Sequence, residues 1–595
     1  MNKIAKILIL TAFLALLFTG CSFFIAQKPR LTLVESKFGS FNSLPEWQWT
    51  TKNNDSVGKF RYSLDNPGSL TEVDNTVTGY RVLKSLTEGS HTFYLQASTT
   101  LGFWSDMVKS SISVSYLAAT EFLPDDPYYD PANGEQWNLQ MISMGKLWGI
   151  LKTSFIDSFR ASRDNTIVAV VDTGYTEHPE VIGRILTGEG YDFISDVDTL
   201  VDPNDGDGID PDATDAGDDD GTGYGNSWHG TGVTGIIVAA TNNGTGTAGI
   251  SPDQHILVLP VRVLGIGGGR MYDVLQGILY AAGLDNDSGL LPTHPAKIIN
   301  LSLGSGNTPA ESPVFEAGLK SVMEKGIIVV AATGNDGANF VSYPASSQYT
   351  IAVSAVDATK SIASYSNSGD EVDIAAPGGD GNSYILVPSP DPNANQPLGA
   401  SDYGFLYSQG TSDATPHVTG LLALLETVDD LGDLSDVLSL LENTAIDLGE
   451  PGWDADYGYG LVDGESLFTR FTGVVGDFSG TKSFGTSSKG SLGIAGGLTE
   501  GSVAGSFGTR GLLTGNTGNP KYDKSSLIVM FKRPLSAQKS AFLYKSLGIK
   551  SISGRSERLK LLRIQDTASL DNVLANLKKD PDVEAVQYNY RMKPF

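Results

Sequence analysis

Four runs in the middle of this chain leave few choices of fold. They are NTIVAVVDTG (165–174), AKIINLSLG (296–304), GIIVVAATGN (326–335) and YTIAVSAV (349–356). Each is apolar nearly throughout. A strand with one wet face alternates apolar and polar residues, and a strand covered on both faces does not. Stretches of helical character lie between them, such as SPVFEAGLKSVMEKG (312–326). Strands and helices in alternation over residues 118–472 predict an α/β domain with a mostly parallel sheet.

At 595 residues the chain is too long for one core, so further domains are expected on either side. Residues 31–117 show the other pattern. GKFRYSLD (58–65) and SHTFYLQAST (90–99) alternate, with a turn signal at Asn66-Pro67-Gly68 between them. An all-β sandwich is expected there, and it is similar to an immunoglobulin-like or fibronectin-III-like module. Trp47, Trp49 and Trp104 are either core aromatics of this sandwich or a sugar-binding surface. Residues 473–519 are rich in Gly, Ser and Thr and are expected to form a linker. In residues 520–595 the order reads β-α-β-α-β, consistent with a small ferredoxin-like α+β domain.

The first residues, MNKIAKILILTAFLALLFTGC, combine Lys3 and Lys6 with an apolar run and small residues before Cys21. This is the pattern of an export signal over residues 1–20. The run is short for a membrane span, which needs about 20 apolar residues. FTGC resembles a bacterial lipobox. That resemblance implies lipid on Cys21, a tether over 21–30, and an exported, membrane-anchored lipoprotein of the cell envelope or surface. Ordinary signal-peptidase cleavage is the alternative. Cys21 is the only cysteine, so no internal disulfide is available. A net charge of −27 argues against nucleic acid as a partner.

Three stretches carry potential chemistry. VVDTGYTEHPEV places Asp172 at the end of an apolar strand. SWHGTGVTGIIVAA places His229 where a loop enters a helix, and QGTSDATPHVTGLLALL places Ser412 at a helix start, with Pro416 in its first turn. A serine hydroxyl is a poor nucleophile near neutral pH. It needs an adjacent base, and that base needs an orienting carboxylate. The three motifs, in this order, resemble the subtilisin-like serine proteases, the subtilase family. The resemblance covers about residues 120–472. It implies that Asp172 orients, His229 is the general base, and Ser412 is the nucleophile. Asn335 in AATGNDG and the backbone N–H of Ser412 would form the oxyanion hole. Leu301, Ser302, Leu303 and Gly304, with Ala331, Ala332, Thr333 and Gly334, would pair with polypeptide substrate and wall its S1 pocket. His178 and His417 match positions the family uses structurally, and His91, His255 and His294 have no motif around them.

Asp413 departs from the family, which usually has Met after the nucleophile. A carboxylate there would raise the pKa of His229. It also keeps open a second reading, a catalytically impaired protease fold that serves as a surface binding protein. A third reading is a protease whose only substrate is itself. The loop DPNDGDGIDPDATDAGDDDG (202–221) is densely acidic. Oxygen ligands on tight turns suit Ca²⁺, and similar family loops bind it. Asp202, Asn204, Asp205, Asp207 and Asp210 are the expected ligands, the alternative being a solvated acidic loop. No cofactor is expected for catalysis.

The final domain resembles the family's prosegment, an inhibitor and folding chaperone that normally precedes the enzyme. Residues 521–595 hold 15 Lys and Arg against 7 Asp and Glu, about +8, so the rest of the −27 chain carries about −35. Opposite charges favour encounter. The resemblance implies that Phe595 enters S1 as P1, with Pro594, Lys593 and Met592 at P2 to P4 and the carboxylate of Phe595 near Ser412 and Asn335.

Overall fold

The computed structural model describes residues 31–34, 44–51, 57–82, 84–130, 134–195, 204–206, 208–221, 223–477, 522–565 and 569–595. Cys21, Asp202, Asp207 and the expected linker beyond residue 477 lie outside the described residues. The chain divides into two units. One takes Met1–Ala118 and Thr472–Asp477, and the other takes Ala119–Phe471 and Phe478–Phe595.

The first unit carries two antiparallel sheets. One joins Leu31–Val34, Glu46–Thr51 and Gly79–Arg81; the other joins Thr71–Asp74, Val57–Leu64, Gly89–Thr99 and Val108–Val114. Side chains from both meet in one core around Trp47, Trp49, Phe60 and Phe93. Trp47 stacks on Phe93 with centroids 4.7 Å apart. Trp47 and Trp49 are thus core residues, whereas Trp104 is half-buried beneath the Arg61 guanidinium, 4.1 Å from its ring centroid. After the α/β domain the chain returns here, where Gly476–Asp477 pairs with Leu117–Ala118.

In the second unit the apolar runs form a seven-stranded parallel sheet. Its order is Tyr191–Asp192, Ile256–Arg262, Thr166–Asp172, Ile298–Leu301, Ile328–Ala332, Ile351–Val356 and Ile374–Pro377. Every residue of Thr166–Asp172, Ile298–Leu301, Ile328–Ala332 and Ile351–Val356 is buried, which is why none alternates. Helix Thr411–Val428 is buried along its whole length and packs against six of these strands, Thr166–Asp172 among them.

Residues 522–594 form a second sheet in the same unit. Its elements run strand Tyr522–Phe531, helix Ala537–Ser546, strands Ile549–Ser553 and Leu559–Ile564, helix Leu570–Leu577, and strand Val583–Pro594. The order is therefore β-α-β-β-α-β, one strand more than expected. The unforeseen strand, IKSIS, lies on the sheet edge with only Ile549 buried, so its apolar signal is thin. One face of the sheet packs with its helices around Leu527, Phe531, Leu543, Leu562 and Leu577. From the other, Ile528, Leu559, Leu561, Tyr590 and Met592 join the core of the α/β domain.

Candidate active site

Asp172 ends the strand Thr166–Asp172, His229 opens the helix His229–Val238, and Ser412 is the second residue of the helix Thr411–Val428. The carboxyl edge of a parallel sheet is where strand ends and helix starts converge. Asp172 is fully buried, and its Oδ1 accepts from the Thr173 N–H and meets His229 Nδ1, each at 2.7 Å. That contact puts the neutral ring's proton on Nδ1 and leaves Nε2 to accept. Among the described residues Nε2 has no hydrogen-bond partner. Burial opposes a charge on His229. The charge and hydrogen bond of Asp172, with the charges of Asp413 and Asp218, outweigh it and push the pKa up to about 9.

Asn335 is aimed by Thr411, whose N–H and hydroxyl donate to its Oδ1 at 2.9 and 2.8 Å. Its Nδ2 therefore turns towards Ser412. A Cβ on Gly410 would lie 2.6 Å from Ser412 Oγ, 3.1 Å from Asn335 Nδ2 and 3.1 Å from the Phe595 O. The three groups thus surround one point. The N–H of Ser412 belongs to the first turn of its helix, where the helix itself offers no acceptor. Pro416 lies in the second turn of this helix, not the first. It has no N–H to offer the Ser412 carbonyl. The Ser302 hydroxyl donates to that carbonyl instead, at 2.8 Å.

Ser302 links the helix Thr411–Val428 to the segment Leu301–Gly304. Leu303–Gly304 pairs antiparallel with Lys593–Pro594, and Gly269–Arg270 pairs with Arg591–Met592. The last residues of Val583–Pro594 thus form a strand between two short strands of the α/β domain. The Phe595 N–H donates to the Ser302 carbonyl at 3.2 Å. The Phe595 ring lies against Gly304, where a Cβ would come within 2.5 Å of it. Met592 is fully buried, and Lys593 is exposed. Ala331 and Ala332 end the neighbouring strand, and Thr333 and Gly334 continue it towards Asn335. Gly334 has φ +108°, and a Cβ there would meet Asn367 and Ser342 at 2.4 and 2.5 Å, so only glycine fits.

Two amides seat the same strand further back. Gln587 Oε1 accepts from the N–H groups of Val314 and Phe315 at 2.6 and 3.1 Å, and Asn589 Oδ1 accepts from that of Tyr272 at 3.0 Å. These N–H groups start the helices Pro313–Met323 and Met271–Ala281, where no intrahelical acceptor exists.

The three expected ligands of the acidic loop that lie among the described residues have partners within the protein. Asp205 bonds the Arg262 guanidinium, Asn204 donates its amide to the carbonyls of Ala216 and Gly217, and Asp210 accepts from the N–H of Asp212. The loop's later residues brace the site instead. Asp215 accepts from the Thr173 hydroxyl at 2.6 Å, Thr173 in turn accepts from the Gly230 N–H, and Asp218 binds both groups of Ser227. These supports were hidden in a composition that reads as a cation loop. Glu180 and Asp126 form a second acidic pair. Glu180 Oε2 is buried without a partner among the described residues. Burial first, and then Asp126 nearby, push its pKa up to about 7. Asn243 and Thr245 supply further oxygens beside it.

His178 and His417 are structural. His178 meets the Gly404 carbonyl, and His417 lies between the Asp413 carbonyl and Asn138. Burial pushes both down to about 4. Asp413 is buried, accepts from the Ser408 hydroxyl at 2.8 Å, and is pushed up to about 7 by burial.

Residues 163–460 match the Subtilase family, Peptidase_S8, a span that holds Asp172, His229, Asn335 and Ser412. The chain belongs to this family, and its α/β domain is subtilisin-like. It is 37% identical to the extracellular protease of Xanthomonas campestris pv. campestris, over 52% of each chain. It is 34% identical to thermitase of Thermoactinomyces vulgaris, over 54% of this chain and 92% of that one. A solved protease structure from Pseudoalteromonas arctica matches with TM-score 0.51 and 32% identity, over 59% of this chain and 99% of that one. The chain thus spans about half the length of the Xanthomonas relative.

Proposed function

We propose that this protein is an exported serine endopeptidase that hydrolyses polypeptides and is held inactive by its own C-terminal domain. The observation that carries the reading is the convergence of Ser412 Oγ, Asn335 Nδ2 and the Phe595 O beside Gly410, with His229 already bonded to Asp172. Ser412 Oγ attacks the scissile carbonyl while His229 Nε2 takes its proton. Asp172 holds the ring and stabilises the imidazolium that forms. The oxyanion accepts from Asn335 Nδ2 and from the Ser412 N–H. His229 then passes its proton to the leaving amine, and water releases the acyl group by the same steps. Leu301 to Gly304 pair with substrate backbone, and residues 331–334 wall S1. Hydrolysis of a denatured protein, abolished by His229→Ala, tests the activity.

Residues 591–595 lie where substrate would pair, so in this reading they are an inhibitory segment. Phe595 takes S1, and Pro594, Lys593 and Met592 take P2 to P4. The domain behind them is a ferredoxin-like, prosegment-like inhibitor or chaperone, and cleavage between residues 478 and 521 releases it. The relatives named extracellular proteases support export. Lipid on Cys21 would anchor the protein to the bacterial membrane.

Replacing Asn335 by Ala removes one oxyanion donor. The expected outcome is a loss of about 10² to 10³ in kcat with KM little changed, the size that such a loss has in subtilisin itself. Catalysis needs neutral His229, so the rate rises as pH climbs towards its pKa of about 9. Asp413→Asn removes one of the charges that raise this pKa. The acid limb of kcat/KM then moves to lower pH, and the rate near pH 7 rises a few-fold. An inactive Asp413→Asn would point to another role for this carboxylate. Asp413 is also what favours the impaired-enzyme reading, and wild-type protein that hydrolyses nothing after release of its C-terminal domain would support it.

Glu180, Asp126 and Asn243 are the residues that would hold calcium, as a structural ion that neutralises buried carboxylates. The folded pKa of Glu180 is raised to about 7, so without a cation its ionisation costs stability as pH rises from 4.5 to 7. Added calcium is expected to raise Tm at pH 8, and Glu180→Gln is expected to abolish the gain.

A further inference from the structure

Thr173 joins Asp172 to the helix that carries His229 through three hydrogen bonds. Its N–H donates to Asp172 Oδ1 at 2.7 Å, and its hydroxyl donates to Asp215 Oδ2 at 2.6 Å. The same hydroxyl oxygen accepts from the Gly230 N–H at 3.0 Å. Gly230 follows His229 in the first turn of His229–Val238, where an N–H has no acceptor within the helix. A hydroxyl has one proton to give and lone pairs to receive with. An ionised carboxylate only accepts, so Asp215 takes the proton and leaves the lone pairs of Thr173 for Gly230.

Asp215 is itself fixed against the turn that follows Asp172. The Tyr175 N–H donates to the Ala213 carbonyl at 3.1 Å, and the Asp215 N–H donates to the Tyr175 carbonyl at 2.7 Å. The approach is close. Gly174 has φ +102°, and a Cβ on it would lie 2.4 Å from the Ala213 carbonyl oxygen. On the other side, a Cβ on Gly230 would lie 2.2 Å from the Gly174 carbonyl oxygen, so the helix start rests on the same turn. The second oxygen of Asp215, Oδ1, accepts from the Gly217 N–H at 2.9 Å. Both oxygens therefore accept, which a carboxylate can do and a carboxamide cannot. Burial and the charge of Asp218 raise the pKa of Asp215, and the Thr173 bond and the Arg262 guanidinium oppose them.

We infer that Asp215 is a positioning residue for the proposed hydrolysis, acting through the Thr173 hydroxyl to hold the start of the His229 helix in register with Asp172. The inference rests on the reading of Asp172, His229 and Ser412 as a triad. His229 Nδ1 meets Asp172 Oδ1, the oxygen that the Thr173 N–H also binds, so one residue seats both partners of that bond. Without the Thr173 hydroxyl the Gly230 N–H is orphaned, and the ring that takes the Ser412 proton shifts with its helix. Displacing a reacting group by about 1 Å costs on the order of a hundredfold in rate.

The test uses the full chain and the variants Thr173→Val, Thr173→Ser and Asp215→Asn. Two quantities are read: the rate at which a fluorophosphonate labels Ser412, and the downfield proton NMR signal of the His229 Nδ1–H shared with Asp172. Thr173→Val keeps the side chain's shape and the N–H bond to Asp172 but loses the hydroxyl. It is expected to label roughly ten- to a hundredfold more slowly than wild type, with its Nδ1–H signal shifted or broadened. Asp215→Asn should change both in the same direction. Thr173→Ser keeps the hydroxyl and should behave like wild type. A residue that only supported the fold would lower Tm and leave both readouts of the folded protein unchanged. Wild-type rates and signals in Thr173→Val and Asp215→Asn, whatever their Tm, therefore overturn the inference. If wild type takes no label, the protease reading fails by itself, and the Nδ1–H signal across the variants still decides whether Asp215 sets the His229–Asp172 bond.

Discussion

Ser412→Ala is expected to lower kcat of the released enzyme by about a million-fold, the scale of the corresponding loss in subtilisin, a member of the same family. The side chain is 2% exposed and sits at the start of a helix buried along its full length, so removing one oxygen should leave the fold unchanged. The remaining rate comes from the oxyanion donors and from substrate pairing along Leu303–Gly304. His229→Ala should cost about as much, and the double variant little more, since the two act as a unit. Additive losses would mean that Ser412 and His229 do not share one proton transfer. The measurement is single-turnover hydrolysis of a peptide ester.

Deleting residues 591–595 should raise the activity of the purified, uncleaved protein at least about a hundredfold. A tethered segment meets its site at an effective concentration in the millimolar range, so even weak pairing keeps the cleft filled. Here the pairing is not weak. It includes antiparallel strands on both sides, a buried Met592 and the Phe595 ring against Gly304. Gln587 and Asn589 lie outside the deletion and should keep the domain docked. Activity should therefore appear without dissociation, visible as an unchanged elution volume. Replacing Gln587 by Ala is a weaker perturbation. It strands two helix N–H groups at a buried interface, at a cost of about 1 to 3 kcal/mol per group.

The parallel sheet was legible because its strands are buried on both faces and so are apolar throughout, as Thr166–Asp172 is. That Asp172 ends a strand and that His229 and Ser412 start helices was legible because strand ends and helix starts carry local signals. Ile549–Ser553 was not, because an edge strand with one buried residue has little apolar pattern to show. Thr173, Asp215 and Asp218 were missed for a different reason. Their roles depend on contacts more than 40 residues away for the first pair, which no local pattern encodes. The same holds for Ser302, whose hydroxyl takes the place of a hydrogen bond that Pro416 cannot make. At the acidic loop, composition does not reveal that Asp205 answers Arg262 or that Asp218 braces Ser227. Glu180 and Asp126 are far apart in sequence and carry no cluster signal.

The central claim is that Ser412 is a competent nucleophile covered by residues 591–595. A fluorophosphonate labels an activated serine and needs an open cleft, so the rate of its reaction tests both halves. The account predicts slow labelling of the intact protein, labelling at least about a hundredfold faster after deletion of residues 591–595, and none in Ser412→Ala. Equal rates with and without the tail, or no labelling of either form, would contradict it.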